Sequence, residues 1–533
     1  MATLVADRQA ERVPRTIEGT TLTTETARHV DRQQWYILAV LCLSTFMLLL
    51  DGTIVNVAIP AIIRDFKTDI ASIEWVLNGY LLALAVSLIT LGRMADLYGR
   101  RLFFAGGTAV FTMASVACGL SPNLETLIVA RVLQGLGAAA MLPAAISIAT
   151  VVFAKERRGM ALGIISATSG IALALGPILG GLITEASSWR GIFLMNVPLG
   201  ILAVVGTVVF LYESTDRDAK RNIDYLGVLT VSVAMFTLTF SLVEGQKLGW
   251  TSQTILGLFT LSAIALFGFL LVERGRASAL MDLALLRNRT FIAANFTGLV
   301  MMFGMLGTLF VLTLFLQVVL GISAVETGLA MTPLALAMMV SAPFAGRLSD
   351  RIGSRWLIFT GLIAGAAGLF WLGHLTLETT WPDLMAPMVV IGFGIGIVMA
   401  PTTAVVMANA PIEKAGNASG IINTMRQLGS VLGVSILGAA LQNQLLTNVT
   451  SALSLFPLPL EVKNKIVDGL NGGVQIQSVV STAGESGPLA AQLRQMFNEQ
   501  FVASLNQSII IAALVVLLGA MAALLIENHS SSL

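Results

Sequence analysis

Long apolar runs alternate with short polar interruptions over almost the whole chain. Fourteen of the runs reach about 18 residues or more, enough for a helix to cross a hydrocarbon core about 30 Å thick. This pattern predicts an all-α polytopic membrane protein with 14 transmembrane helices. Two stretches stand apart. Residues 1–34 are polar, carry mixed charge and lack the apolar segment of a signal peptide, so they read as a cytoplasmic tail. Residues 442–502, rich in Gln, Asn, Ser and Gly, read as one long outer loop, and the apolar spacing of Leu489–Phe501 predicts a helix lying along the membrane surface.

The polar interruptions show how the chain is organised. Gly92-Arg93-Met-Ala-Asp96-Leu-Tyr-Gly99-Arg100-Arg101 is wedged between two spans, and its pattern returns 254 residues later in Gly346-Arg347-Leu-Ser-Asp350-Arg351-Ile-Gly353-Ser-Arg355. A second match aligns Gly159–Ile165 with Gly416–Ile422 at an offset of 257, and Gly135 and Gly137 meet Gly392 and Gly394 in the same register. Two six-helix units are therefore expected as parallel repeats, an architecture of transporters whose site lies between the halves. The predicted organisation is a 6+2+6 arrangement: tail 1–34, first bundle 35–212, a two-helix insert with its linkers 213–290, and second bundle 291–533.

Lys and Arg set the orientation. With both termini in the cytoplasm, 22 of the 31 fall in inner segments, 7 in outer loops and 2 inside spans, a clear positive-inside bias. Only 11% of residues are charged and mean hydropathy is +0.85. A net charge of +1 argues against nucleic acid as a partner. Cys42 and Cys118 both fall inside spans, so neither a disulfide framework nor a zinc site is expected. No Gly-x-x-x-x-Gly-Lys-Ser/Thr stretch is present, so no nucleotide cofactor is expected and the proton motive force is the expected energy source. His29, His374 and His529 are scattered, which disfavours a membrane enzyme or sensor.

Few ionisable residues lie deep in the spans, and each is a functional candidate because holding it there costs about 2.5–3.5 kcal/mol. They are Asp51 in span 1, Arg131 in span 4 and Arg426 in span 13. By helix rise Asp51 and Arg131 lie within about 7 Å of one another in depth, so one polar pocket can hold both. Their repeat counterparts are Met305 and Met388, and that of Arg426 is Ser169, so none of the charges is duplicated. Burial and a guanidinium pull a carboxyl in opposite directions, and a group so balanced can take up a proton on one side and release it on the other. Asp51 is read either as that proton carrier or as a structural carboxylate, and Arg131 either as its tuning partner or as a structural hydrogen-bond donor. Arg426 either lines a substrate cavity with Asn423 and Gln427 or pairs locally. Asn56, Tyr80, Gln134, Asn295 and Gln317 are further candidates for the cavity lining.

The doubled hinge is read as a cytoplasmic gate. Asp96 is expected at the start of span 13 near Gly416, and Asp350 at the start of span 5 near Gly159, where a carboxylate meets the positive end of a helix. Span 5 carries Gly170, Gly176, Pro177, Gly180 and Gly181, a kinked seam that lets a neighbouring helix approach closely.

In combination these motifs resemble those of the fourteen-span drug:proton antiporters (EmrB/QacA type) of the major facilitator superfamily. The hinge, Leu50–Pro60, Arg131–Gly137, Gly176–Gly181, Trp189–Pro198 and Gly416–Gly420 with Arg426 carry the likeness. The resemblance implies proton-driven export of small amphipathic compounds, by a monomer in the bacterial cytoplasmic membrane, with protons and membrane lipid as its other partners; it leaves any cell-envelope partner open. It also marks the Gly-Pro seam as that of an antiporter. Spans 9–14 carry no deep acidic residue, so neutral, anionic or lipid-like cargo fits as well as cationic. A lipid or glycolipid translocase on the same scaffold is the alternative.

Overall fold

Each apolar run forms a helix, because in hydrocarbon a backbone must satisfy its own polar groups. The computed structural model describes residues 24–153, 155–215, 224–274, 285–410, 415–456, 458–471 and 488–527. The first bundle comprises α1 (Thr24–Phe66), α2 (Ile70–Tyr98), α3 (Arg100–Gly119), α4 (Leu124–Val152), α5 (Lys155–Ala186) and α6 (Asn196–Phe210), the last preceded by a helical turn, Gly191–Leu194. The insert is α7 (Tyr225–Leu248) and α8 (Gln253–Glu273). The second bundle comprises α9 (Arg289–Leu314, continued by a π turn to Val319), α10 (Ala324–Ile352), α11 (Ser354–Leu372), α12 (Met385–Ala408), α13 (Ala415–Ser454) and α14 (Pro488–Ala523). Among the described residues, thirteen helices are long and apolar enough to cross a membrane, and the apolar part of α2, Ser72–Leu88, adds a shorter one.

The repeat seen in sequence is a repeat of contacts. Gly99 at φ 130° and Gly353 at φ 84° each join two helices through a single residue, in a conformation that glycine alone adopts readily. Arg101 Nη2 donates to Val208 O at 2.8 Å, near the end of α6, and Arg355 Nε donates to Ile526 O just past α14. A Cβ on Gly135 would run into the carbonyl oxygen of Tyr80, and one on Gly392 into that of Leu334. Gly137 meets Gly107 in the first half as Gly394 meets Gly361 in the second. Close helix approach is thus preserved at matching positions in both halves.

On the outer side the halves are sealed against each other. Gly181 of α5 lies on the backbone of Ala324 and Val325, and Gly328 of α10 on that of Pro177. Asn78 Nδ2 of α2 donates to Ser435 Oγ of α13 at 3.0 Å. Gln317 Nε2 at the end of α9 donates to Val57 O of α1 at 2.8 Å. The insert braces this seal: Glu244 of α7 accepts a hydrogen bond from Trp75 Nε1 at 3.2 Å, and the same indole packs on Phe236 and Phe240. α8 turns residues such as Ile264 and Phe267 outward, as a lipid-facing helix does.

Two expectations about the outer loop are corrected. α13 runs on to Ser454 and α14 begins at Pro488, so the loop expected over 442–502 is largely helix. Leu489–Phe501 does not form a separate surface helix but belongs to α14. Leu493, Phe497 and Phe501 are buried, as are Leu445, Val449 and Leu453 of α13, and Asn448 Nδ2 donates to Ser504 Oγ at 3.0 Å. A short helix, Leu460–Asn471, adds Ile466 to the same apolar patch. An apolar face that continues past the bilayer is the reason the two helices extend together. At the other end, α1 begins at Thr24, so the last residues of the tail continue directly into the first span.

Candidate functional site

Asp51, Arg131 and Gln134 come together in the first bundle. Arg131 and Gln134 are three residues apart on α4 and therefore share one face. Arg131 Nη1 lies 2.5 Å from Asp51 Oδ2 and 2.7 Å from Gln134 Oε1, and its Nε donates to Val76 O of α2 at 2.9 Å. Asp51 Oδ1 accepts from Gln134 Nε2 at 2.9 Å and from Asn196 Nδ2 at 3.0 Å. Ser115 Oγ of α3 accepts from both amides, at 3.2 and 3.0 Å, and donates to Phe193 O at 2.9 Å. The guanidinium also faces the rings of Tyr80, at 4.2 Å, and Phe193, at 5.7 Å. Asp51, Arg131 and Gln134 are all 0% exposed. A buried pair is tolerable only when its remaining hydrogen-bonding capacity is met, and three donors to one carboxylate meet it here.

Asn196 and Ser115 are absent from the sequence-derived set. The break between the Gly191–Leu194 turn and α6 puts Asn196 at a helix start with Pro198 two residues on, and that polar residue before a proline was the available signal. Ser115 carried none, since serines in membrane helices usually bond to their own backbone.

The residues expected in a cavity separate. Tyr80 and Gln134 belong to the buried cluster, and the Tyr80 hydroxyl has no hydrogen-bond partner among the described residues. Gln317 ties α9 to α1 in the outer seal instead of lining an open space. Asn56 donates to Gly52 O and Thr53 O, Asn295 to Phe291 O and Asn423 to Ser419 O, each within its own helix. Arg426 Nη2 donates to Met399 O at 2.9 Å and to Thr403 Oγ1 at 2.8 Å, both of α12, while its Nε is buried without a hydrogen-bond partner among the described residues. Asn423, Arg426 and Gln427 are half-buried along one stretch of α13.

In the seam, Gly176 and Gly180 lie against Thr53 and Ile54 of α1, and Gly181 against α10. A Cβ on Gly170 would meet nothing within 4 Å among the described residues, unlike one on Gly176, Gly180 or Gly181. At the hinge, Gly92 approaches Pro143 of α4. Glu213 receives the first amides of α3, from Arg101 N and Leu102 N, both at 3.1 Å, and Arg100 N donates to Ser214 O. The surroundings of Asp96, Gly159, Gly346, Asp350 and Gly416 are not among those described, so the latch expected between Asp96 and the start of α13, and between Asp350 and the start of α5, lies outside the described residues; Arg93 and Arg100 are both engaged in contacts.

Two six-helix repeats sealed on one face, with a buried Asp–Arg pair in the first of them, have the architecture of a polytopic membrane transporter. Residues 41–434 match the Major Facilitator Superfamily, and the chain belongs to that family. It is 34% identical over 490 residues to the tetracenomycin C resistance and export protein of Streptomyces glaucescens, a match covering 92% of this chain and 91% of that one. It is 37% identical over 415 residues to the multidrug resistance protein Stp of Mycobacterium tuberculosis, covering 77% and 76%. Among solved structures, a bacterial homolog of the human lysosomal transporter Spinster, in an inward-facing and unoccupied conformation, superposes with a TM-score of 0.64 at 18% identity over 92% of this chain and 97% of that one, which shows the shared fold. The chain is a multi-pass protein of the bacterial plasma membrane.

Proposed function

We propose that this transporter exports small amphipathic compounds, antibiotics among them, in exchange for protons, and that Asp51 carries the proton. The observation that supports this most is the Asp51–Arg131 pair itself, a costly buried charge pair in a scaffold whose second copy does without one. Relatives named for tetracenomycin C export and multidrug resistance support the class of cargo.

Asp51 is sealed and holds three donors, so a proton reaches it only after Arg131 has moved. α1 links that event to the gates. Within seven residues it carries Asp51 in the cluster, Thr53 and Ile54 against the α5 glycines, and Val57 O as acceptor from Gln317 of the second half. Breaking the pair frees α1 to shift, and a shift of α1 loosens both seals. The free energy is adequate. One charge crossing 100 mV supplies about 2.3 kcal/mol, a roughly fifty-fold accumulation before any pH gradient is counted.

Asp51→Asn keeps the side-chain shape and removes the titration. In inverted vesicles the variant is expected to lose proton-driven substrate uptake while binding substrate with affinity within a few-fold of the wild type. Proton-driven uptake that survives the substitution rejects Asp51 as the carrier.

A further inference from the structure

A second buried acid lies outside the cluster. Glu74, in the first turns of α2, is 1% exposed and faces Gly438 of α13 across the outer seal between the halves. A Cβ on Gly438 would occupy the place of Glu74 Oε1, so the carboxyl packs directly against α13 where glycine leaves room for it. Oε2 is buried without a hydrogen-bond partner among the described residues. One turn further along the same pair of helices is the Asn78–Ser435 hydrogen bond. Among the described residues, the groups around Glu74 are Gly438 on α13, Phe310 of α9 close by, Glu244 on α7, and Asp69 at the start of its own helix. The charges that act on it, Glu244 and Asp69, are both acidic.

A buried ionised carboxylate with an unpaired oxygen and two acidic neighbours is the form that such an interface rejects, whereas the uncharged acid can be buried there. We propose that Glu74 is a second proton-binding group of this transporter and that its proton licenses closure of the outer gate. When α2 and α13 part, Glu74 meets external water and ionises; it must regain a proton from outside before the seal can re-form. The carrier then resets only after external protons have loaded, which the exchange of cargo for protons requires. The inference rests on the proposed proton exchange for its place in the cycle, but not on Asp51.

The test measures the outer gate directly. Spin labels at Arg64→Cys on α1 and Asn443→Cys on α13, both exposed positions, report its opening in a Cys42→Ser background that leaves buried Cys118 in place. The open-to-closed ratio of the otherwise native protein in lipid nanodiscs is expected to rise by up to about tenfold per pH unit over the range in which Glu74 titrates, the slope for one linked proton. Glu74→Gln, uncharged at every pH, is expected to close the gate and flatten that slope to less than about twofold across pH 6–9. Asp51→Asn is expected to keep the slope while losing proton-driven uptake, so the two proposals fail separately. A flat profile in the native protein, an unchanged slope in Glu74→Gln, or loss of the slope in Asp51→Asn each overturns the assignment. The native profile decides the matter even where Glu74→Gln does not fold.

Discussion

The two halves share a frame and differ in what they bury within it. In the first, Asp51, Ser115, Arg131 and Gln134 occupy the interior; at the matching positions the second has Met305, Leu369, Met388 and Ile391. Three of those four, Met305, Leu369 and Ile391, line a small apolar cavity between α9, α11, α12 and α14. Both interiors are built on the same glycine contacts, Gly135 on Tyr80 with Gly137 on Gly107, and Gly392 on Leu334 with Gly394 on Gly361. The frame therefore does not need the charges. Apolar side chains fill the same space without the desolvation penalty that the pair carries.

Three sets of substitutions probe that comparison. The largest effect is expected from Arg131→Met, which copies one residue of the second half and strands the Asp51 carboxylate, at a cost of about 3–5 kcal/mol. Adding Asp51→Met completes the copy and is expected to recover more than half of that loss without restoring transport. Thermal melting in detergent and vesicle uptake measure the two effects, and a double variant no more stable than the single one would show that the frame depends on the charges after all. Next come Gly135→Ala and Gly392→Ala, where the added methyl meets a carbonyl oxygen of the adjacent helix. Each is expected to cost about 1–3 kcal/mol. Similar losses in both halves support a common frame, while a loss confined to one half breaks the equivalence. The smallest effect is expected from Gly170→Ala. With open space beside it and a helical backbone, the change is expected to raise stability by up to ~1 kcal/mol, in contrast to Gly176, whose place beside Thr53 leaves no room for a methyl.

Much of this was legible in advance. Span positions follow from apolar length, which is a local property, and the repeat follows from glycines recurring at a constant offset. Depth along a helix placed Asp51 and Arg131 at one level, since rise per residue is nearly constant. Depth does not say which way a side chain faces. That is why Tyr80 and Gln134, expected in a cavity, lie in the cluster, and why Gln317 belongs to the outer seal. Glu74 gives no signal in the sequence for a related reason. Near the end of a span an acid reads as solvated, and only the approach of α13 buries it.

The amino-acid sequence alone determined the number and direction of the helices, the duplication and the identity of the unduplicated charges. These rest on hydrophobic length, on the Lys and Arg bias and on pattern, none of which needs a neighbour. The tertiary structure decided which polar groups satisfy one another: Asn196 and Ser115 completing the Asp51–Arg131 pair, Arg426 bound to α12, and the outer ends of α13 and α14 extended as one apolar pair. Hydrogen bonds of this kind form across helices distant in the chain, at separations of a few ångströms that depend on how each helix is rotated, and rotation is set by packing against all its neighbours at once.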